Sequence, residues 1–297
     1  MKTADRARGK WRGILMQLGI DQRFLTGKHG PCPFCEGRDR FRWDNDKGNG
    51  TFICSVCGAG DGIELLKRAK GWDFRTAAQE VDKIVGGVNV EPIRKVADPD
   101  AIKRRLRELW AGSEALTGND PVSAYLASRN VLHGASCLRF HANCPKPFGE
   151  GYGPAMLALV EASNGDAITI HRTFIGKVDG KRLRATMQGE LPDGCAVRLF
   201  PIDGNRLGIA EGIETAIAAA KRFRMPVWAA LNATMLGKWI PPEGVNEIVV
   251  FGDHDPGFGG QAAAFALAHR LANRFRVKVD VRIPQNVGKD WADEDAA

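Results

Sequence analysis

Three observations predict a multidomain chain of combined α+β and α/β class. They are two cysteine pairs near the N-terminus, a basic middle region of alternating β-type segments, and a final stretch in which short apolar strands alternate with helices. The pairs are Cys32-Pro-Phe-Cys35 and Cys54-Ser-Val-Cys57, with eighteen residues between them. That is the spacing of a closed four-thiolate zinc site, so an N-terminal zinc ribbon is expected. Strands alternating with helices imply βαβ units and a mainly parallel sheet flanked by helices.

Along the chain, Ile14, Leu15, Leu18 and Ile20 suggest a short helix, and Gly27 and Gly30 end it before the first cysteine. The run from Phe41 to Ile53 can fold as a hairpin that brings the two cysteine knuckles together. Two helices follow, one over residues 63–71 and one over 73–86 that Asp73 caps and Gly86 stops. This makes residues 1–86 a zinc-ribbon module with trailing helices, and residues 87–100, with prolines and no periodic apolar face, a linker. Residues 101–116 and 121–130 read as helices, the second with Pro121 in its first turn. Residues 156–162, 167–176 and 177–187 show period-two alternation broken by glycine turns, as antiparallel strands do. Residues 101–205 therefore form a helical and β-rich basic subdomain. From residue 206 to 297, strands at 206–212, 227–231, 247–253 and 277–284 alternate with helical segments at 213–223, 234–240 and 259–275.

With 297 residues, 44% of them hydrophobic, the chain is long enough for about two domains with cores of their own. No run approaches the roughly 18 to 20 apolar residues that cross a bilayer, and the charged start carries no apolar signal region, so no membrane association and a cytoplasmic location are expected. Of seven cysteines, the four in pairs read as ligands to one structural zinc ion, and Cys137, Cys144 and Cys195 as ordinary thiols. His29 could replace one cysteine, but four already complete the set. A net charge of +7 suits a polyanionic partner without identifying it.

Acids mark three strand ends: Glu211, then Asp253 and Asp255, then Asp290 with Asp293. In an open parallel sheet, ligands gather beyond the carboxyl ends of strands, so these acids can converge from distant parts of the chain. Like charges brought together raise one another's pKa, and bound Mg²⁺ or Mn²⁺ relieves that repulsion. Such ions would suit phosphate chemistry, an in-line nucleotidyl transfer. Glu214, one turn into the next helix, either supports such a centre or favours the helix N-terminus. The glycine run at 256–260 either approaches a phosphate or makes a turn. Arg38, Arg40, Arg42 and Trp43 lie on the hairpin's first arm, where arginine and aromatic groups could stack on unpaired bases or form a solvated strand with one packed tryptophan.

The segments AEGIETAIAA, FGDHDPGFGGQ and GKDWAD, following the cysteine knuckles, resemble the zinc-binding Toprim primases of phages, plasmids and integrative elements. The resemblance covers roughly residues 205–295 and the four-cysteine module. It implies a catalytic, metal-holding role for Glu211, Asp253 and Asp255, with Asp290 or Asp293 completing the Mg²⁺ or Mn²⁺ site. It also implies that Arg172, Lys177, Lys181, Arg182 and Arg184 contact template or nucleotide phosphates, the bland alternative being exposed strand and turn positions. The activity implied is synthesis of short RNA primers from ribonucleoside triphosphates on single-stranded DNA. A non-catalytic single-strand-binding accessory protein and a metal-dependent nuclease on the same scaffold are the competing expectations. A topoisomerase would need a nucleophilic tyrosine, and neither Tyr125 nor Tyr152 has such a setting. No Walker A loop occurs in the sequence, so a replicative helicase is expected as a separate partner.

Overall fold

The computed structural model describes residues 2–90, 98–131, 136–147, 151–176, 182–187 and 191–294. It divides into two compact units, Met1–Asp98 and Pro99–Ala297.

The first unit opens with α1 (Thr3–Ala7) and α2 (Trp11–Gln17). Trp11, Ile14 and Leu15 fall on one helical face and are buried there. A small antiparallel sheet follows, with β1 (Phe41–Trp43), β2 (Phe52–Cys54) and β3 (Gly58–Gly60) in sequence order across it. Two helices, α3 (Gly62–Lys70) and α4 (Phe74–Ile84), close the unit. Each has an aspartate cap: Asp61 accepts from the Glu64 amide at 2.9 Å, and Asp73 from the Thr76 amide at 2.7 Å. The α3 helix can approach the core only because its first residue is Gly62, where a Cβ would stand 2.2 Å from the Trp11 ring. Beneath the sheet, the Phe41 and Phe52 rings stack with centroids 5.5 Å apart, and Phe34 packs against both.

The second unit begins with α5 (Pro99–Ala111), the edge strand β4 (Glu114–Ala115) and α6 (Pro121–Ser128). The helix expected to run to residue 116 thus stops at Ala111, and its last residues pair instead with the sheet. Then come β5 (Leu138–Pro145), β6 (Tyr152–Glu161), β7 (Ala167–Phe174) and β8 (Arg184–Thr186), forming with β4 an antiparallel sheet in sequence order. Sequence reasoning passed over β5, whose polar run LRFHANCP is half-exposed and broken by a bulge between His141 and Cys144.

The rest alternates as expected: β9 (Arg206–Ala210), α7 (Ile213–Phe223), β10 (Val227–Ala229), α8 (Ala233–Lys238), β11 (Glu247–Phe251), α9 (Gly259–Arg270), β12 (Lys278–Arg282) and the short α10 (Trp291–Glu294). These strands form a parallel sheet in the order β10-β9-β11-β12. The chain leaves β9 towards β10 on one side and returns to β11 on the other, so the strand order reverses between β9 and β11. Their register pairs Ala210 with Phe251, which sets Glu211 and Asp253 just beyond adjacent strand ends.

The two sheets of this unit share one hydrophobic core, in which Val122, Leu126 and Met156 pack with Leu207, Ile209 and Val250. A short segment joins them directly. Ala196 exchanges backbone hydrogen bonds with Glu161 of β6, at 2.9 and 3.0 Å, while Val197 exchanges them with Ala229 of β10, at 2.8 and 3.1 Å. Residue 205/206, where the basic subdomain meets the C-terminal strands and helices, thus lies inside a single packed unit.

Candidate metal centres

In the first unit, the sulfur atoms of Cys32, Cys35, Cys54 and Cys57 all lie within 4.8 Å of one another. Cys32 and Cys57 are 3.9 Å apart, and Cys35 and Cys54 3.8 Å. Four thiolates at about 2.3 Å from a tetrahedral Zn²⁺ would stand about 3.8 Å apart, so the set fits zinc. Amides of the knuckles already point at two of the sulfurs, Phe34 N–H to Cys32 and Cys57 N–H to Cys54, each at 3.4 Å. Such N–H···S contacts favour the thiolate form that a metal takes. As free thiols, Cys54 and Cys57 are driven in opposite directions. Burial opposes ionisation of Cys54, but the amides of Cys57 and Val56 and the neighbouring thiols bring it down to about 7. Hydrogen bonding to Cys35, then burial and the other thiols, push Cys57 up to about 12. His29 is exposed and is not among the clustered ligands.

Around this centre, Arg38 and Arg40 are exposed, and Arg42 is half-buried and paired with Asp44 at 3.5 Å. Trp43 is only 6% exposed and belongs to the core of the unit. The stacking role considered for it is therefore corrected: a strand's alternate residues face opposite sides, and Phe41 and Trp43 share the inner one.

In the second unit, Glu211, Asp253 and Asp290 line one cavity of about 180 Å³, together with Glu214, His171, Thr173 and Arg184. It lies at the reversal of strand order, where an open parallel sheet holds its ligands. Asp253 is the focus. Burial first, then the negative charges of Glu211, Asp290, Asp255 and Asp293, push its carboxyl up to about 7. One of its oxygens, Oδ1, is buried without a hydrogen-bond partner. Burial also raises Glu211, with Asp255 adding to the effect and the Ala233 amide opposing it. An orphaned carboxylate oxygen amid acids fits a cation. The helix α9 presses against this point, and a Cβ at Gly260 would stand 2.6 Å from the Asp253 carbonyl oxygen.

The predicted acids do not all take the same position. Asp255 is exposed and caps α9, its Oδ2 accepting from the Gly260 amide at 2.7 Å. The glycine-rich helix start is thus already bonded to protein. Asp290 and Asp293 are both engaged by Arg129, at 3.2 and 2.7 Å. Among the described residues, only the four cysteines bring three or more ligand atoms within 4.8 Å of one another. A Mg²⁺ site does not require that closeness from protein alone, since Mg²⁺ keeps several waters and takes one or two carboxylates plus substrate phosphates.

Glu214 has a defined place. It is 6% exposed, accepts a hydrogen bond from the Tyr125 hydroxyl and pairs with Arg184 at 3.2 Å. Burial opposes its ionisation, but the Arg184 guanidinium and the Tyr125 hydroxyl hold it below the usual carboxylate range. Burial, opposed by Glu214 and reinforced by Arg184 and Arg172, pushes His171 down to about 4, so it is neutral near pH 7. Arg182 lies over the Tyr125 ring at 4.0 Å and donates to the carbonyls of Phe174 and Gly176. Tyr125, Arg129 and His171 were missed by sequence reasoning. Tyr125 and Arg129 stand four residues apart on or just after one helix, the available signal that they share a face.

Arg172 requires a correction. It is 5% exposed, and its two terminal nitrogens donate to the carbonyls of Pro145 and Thr186, at 2.5 and 3.5 Å, while its Nε is buried without a partner. Strand β7 runs between β6 and β8 with both faces covered, which removes the exposed position assumed for it. Lys177 and Lys181 lie outside the described residues. Cys137, Cys144 and Cys195 are buried thiols, and burial pushes Cys137 up to about 12 and Cys144 up to about 11.

Family comparisons agree with this layout. Residues 27–63 match the zinc-binding domain of primase-helicase, residues 206–295 match the Toprim domain, and residues 100–199 match a domain of unknown function (DUF7146). Among solved structures, a DNA primase domain from Pseudomonas aeruginosa is similar at 16% identity, covering 66% of this chain and 73% of that one, with a TM-score of 0.44. The zinc-binding and RNA polymerase domains of the Aquifex aeolicus primase are 14% identical, covering 99% and 81%, with a TM-score of 0.40. The primase fragment of the bacteriophage T7 primase-helicase is 14% identical, covering 91% and 96%, with a TM-score of 0.42. The class is therefore a protein with a zinc-ribbon module and a Toprim domain. More particularly, its zinc ribbon is of the primase kind, placed ahead of the Toprim domain in the chain. No helix among the described residues is long and apolar enough to cross a membrane.

Proposed function

We infer that this protein is a DNA primase of the phage, plasmid or integrated-element type, which makes short RNA primers on single-stranded DNA during replication. The observation that carries this reading is Asp253: a carboxylate with a buried, unpartnered oxygen, held at about 7 among four other acids at the strand-order reversal. Glu211 and Asp253, with Asp255 beside them, would hold Mg²⁺ or Mn²⁺, and Asp290 and Asp293 flank that position. Bound there, the ion would offset triphosphate charge and favour proton loss from a primer 3′-hydroxyl, whose oxygen would bond the α-phosphorus as the bond to pyrophosphate breaks.

The protein's own groups prepare the site. Half-exposed Arg184 faces the same cavity and offers charge to a phosphate, while Glu214 and Tyr125 fix where its guanidinium sits. Arg182 is held beside it by the Tyr125 ring. His171, neutral and buried, adds no competing charge to the cavity wall. The exposed Arg38 and Arg40 of the zinc ribbon supply contacts to the template backbone, which set position and affinity through charge.

The test is incubation of the zinc-loaded protein with labelled ribonucleotides, Mg²⁺ or Mn²⁺ and a panel of single-stranded templates, with products resolved by length. Short RNA complementary to a subset of templates is the expected result. Tight template binding without any product would replace this reading with an accessory DNA-binding role, and template cleavage without nucleotides would replace it with a nuclease.

A further inference from the structure

Two of the five acids at the candidate centre are already paired with one arginine from outside the Toprim region. Arg129 caps the C-terminus of α6, and its guanidinium forks across two carboxylates: one nitrogen lies 2.7 Å from Asp293 and the other 3.2 Å from Asp290. Asp290 also faces the cavity that holds Glu211 and Asp253. Four residues before Arg129 on the same helical face, the Tyr125 hydroxyl bonds Glu214, which also lines that cavity. The α6 helix therefore grips the acid centre at two points, one of them a full positive charge.

We propose that Arg129 is a positioning residue that acts as a resident counter-ion, withholding Asp290 and Asp293 from divalent metal until a cation displaces it. This rests on the reading of the acidic cavity as a metal site. A planar guanidinium can bond two carboxylates at once, but its single charge offsets only one of their two. A divalent ion brings two charges against one and can take over the same oxygens. Loading of the Asp290 and Asp293 side is thus coupled to release of α6, whereas Glu211 and Asp253 have no such competitor at their oxygens among the described residues.

The experiment is Mn²⁺ titration of the full-length, zinc-loaded protein, read by the paramagnetic signal of free Mn²⁺, for wild type, Arg129→Gln, Arg129→Lys and Tyr125→Phe, each checked by thermal melting. Asp253→Asn identifies which bound Mn²⁺ belongs to this centre. A neighbouring charge at this distance shifts a carboxylate by about one to three pKa units, so removing it should tighten Mn²⁺ binding by about ten-fold or more. Arg129→Lys, which keeps the charge, and Tyr125→Phe, which leaves it untouched, should stay within about three-fold of wild type. Equal or weaker binding by Arg129→Gln overturns the counter-ion role while leaving the metal site standing. Equal tightening in Tyr125→Phe also overturns it, because the effect would then come from loosening α6. Absence of Asp253-dependent Mn²⁺ binding in every variant overturns the metal site and the counter-ion role with it.

Discussion

Asp253→Asn is expected to abolish the proposed primer synthesis while making the protein more stable at pH 8. The two effects share one cause. The folded protein holds this carboxyl at about 7 against an ordinary 3.8, because burial and the surrounding acids oppose its charge. Between those values the folded chain keeps a proton that the unfolded chain has lost. Stability is therefore full below about pH 4, declines as pH rises through 7, and is flat above. At about 1.4 kcal/mol for each pKa unit, the strain at pH 8 amounts to about 4 kcal/mol. Asparagine removes the charge, so the second unit should melt several degrees higher at pH 8, at about 2 to 4 °C per kcal/mol for a body of this size. Mn²⁺ should raise the melting point of wild type and leave the variant unmoved. Activity should fall by roughly a thousand-fold or more, the scale of several kcal/mol of lost charge stabilisation, with template binding retained. Primer synthesis near the wild-type rate, or an unchanged melting point at pH 8, would show that Asp253 is not the strained centre of the site.

Removal of zinc should have a larger effect, on the other unit. Cys32 and Cys54 are buried in the same core as Trp11, Phe41 and Phe52, so the metal set is continuous with the apolar packing. Structural zinc contributes roughly 10 to 16 kcal/mol in small modules, as much as the whole stability of an ordinary domain. Chelation, or Cys54→Ser, should abolish the thermal transition of the first unit and the near-ultraviolet signal of Trp11 and Trp43. The transition of residues 99–297 should persist, because no cysteine of the set lies in their core. Two intact transitions after complete zinc removal would falsify this account of the ribbon.

The parts of the molecule legible in sequence are those determined over short distances. The two cysteine knuckles, the aspartate cap of α4 and the alternation of strands with helices after residue 206 each depend on neighbours a few positions apart. Placing acids just after apolar strands was likewise a local inference, and Glu211, Asp253 and Asp290 do line one cavity. What stayed hidden depends on which way a side chain turns and on what arrives from far along the chain. Arg172 and Trp43 are residue types that suit a nucleic-acid surface, yet both are buried. In β7, six consecutive residues are buried, so the alternation that separates inside from outside is erased. Arg129 reaches Asp290 across 161 positions and Tyr125 reaches Glu214 across 89, and nothing in either segment alone announces the other.

The short segment that bonds Glu161 on one side and Ala229 on the other has a consequence for how such a protein can be recombined. Although family boundaries suggest a Toprim cassette beginning at residue 206, the cut would pass through a shared interior and strand the partners of Leu207, Ile209 and Val250. A graft of that piece onto a foreign chain inherits an oily face and a loose outer edge at β10. It should bind hydrophobic dyes and aggregate. The exchangeable block is residues 99–297, taken whole.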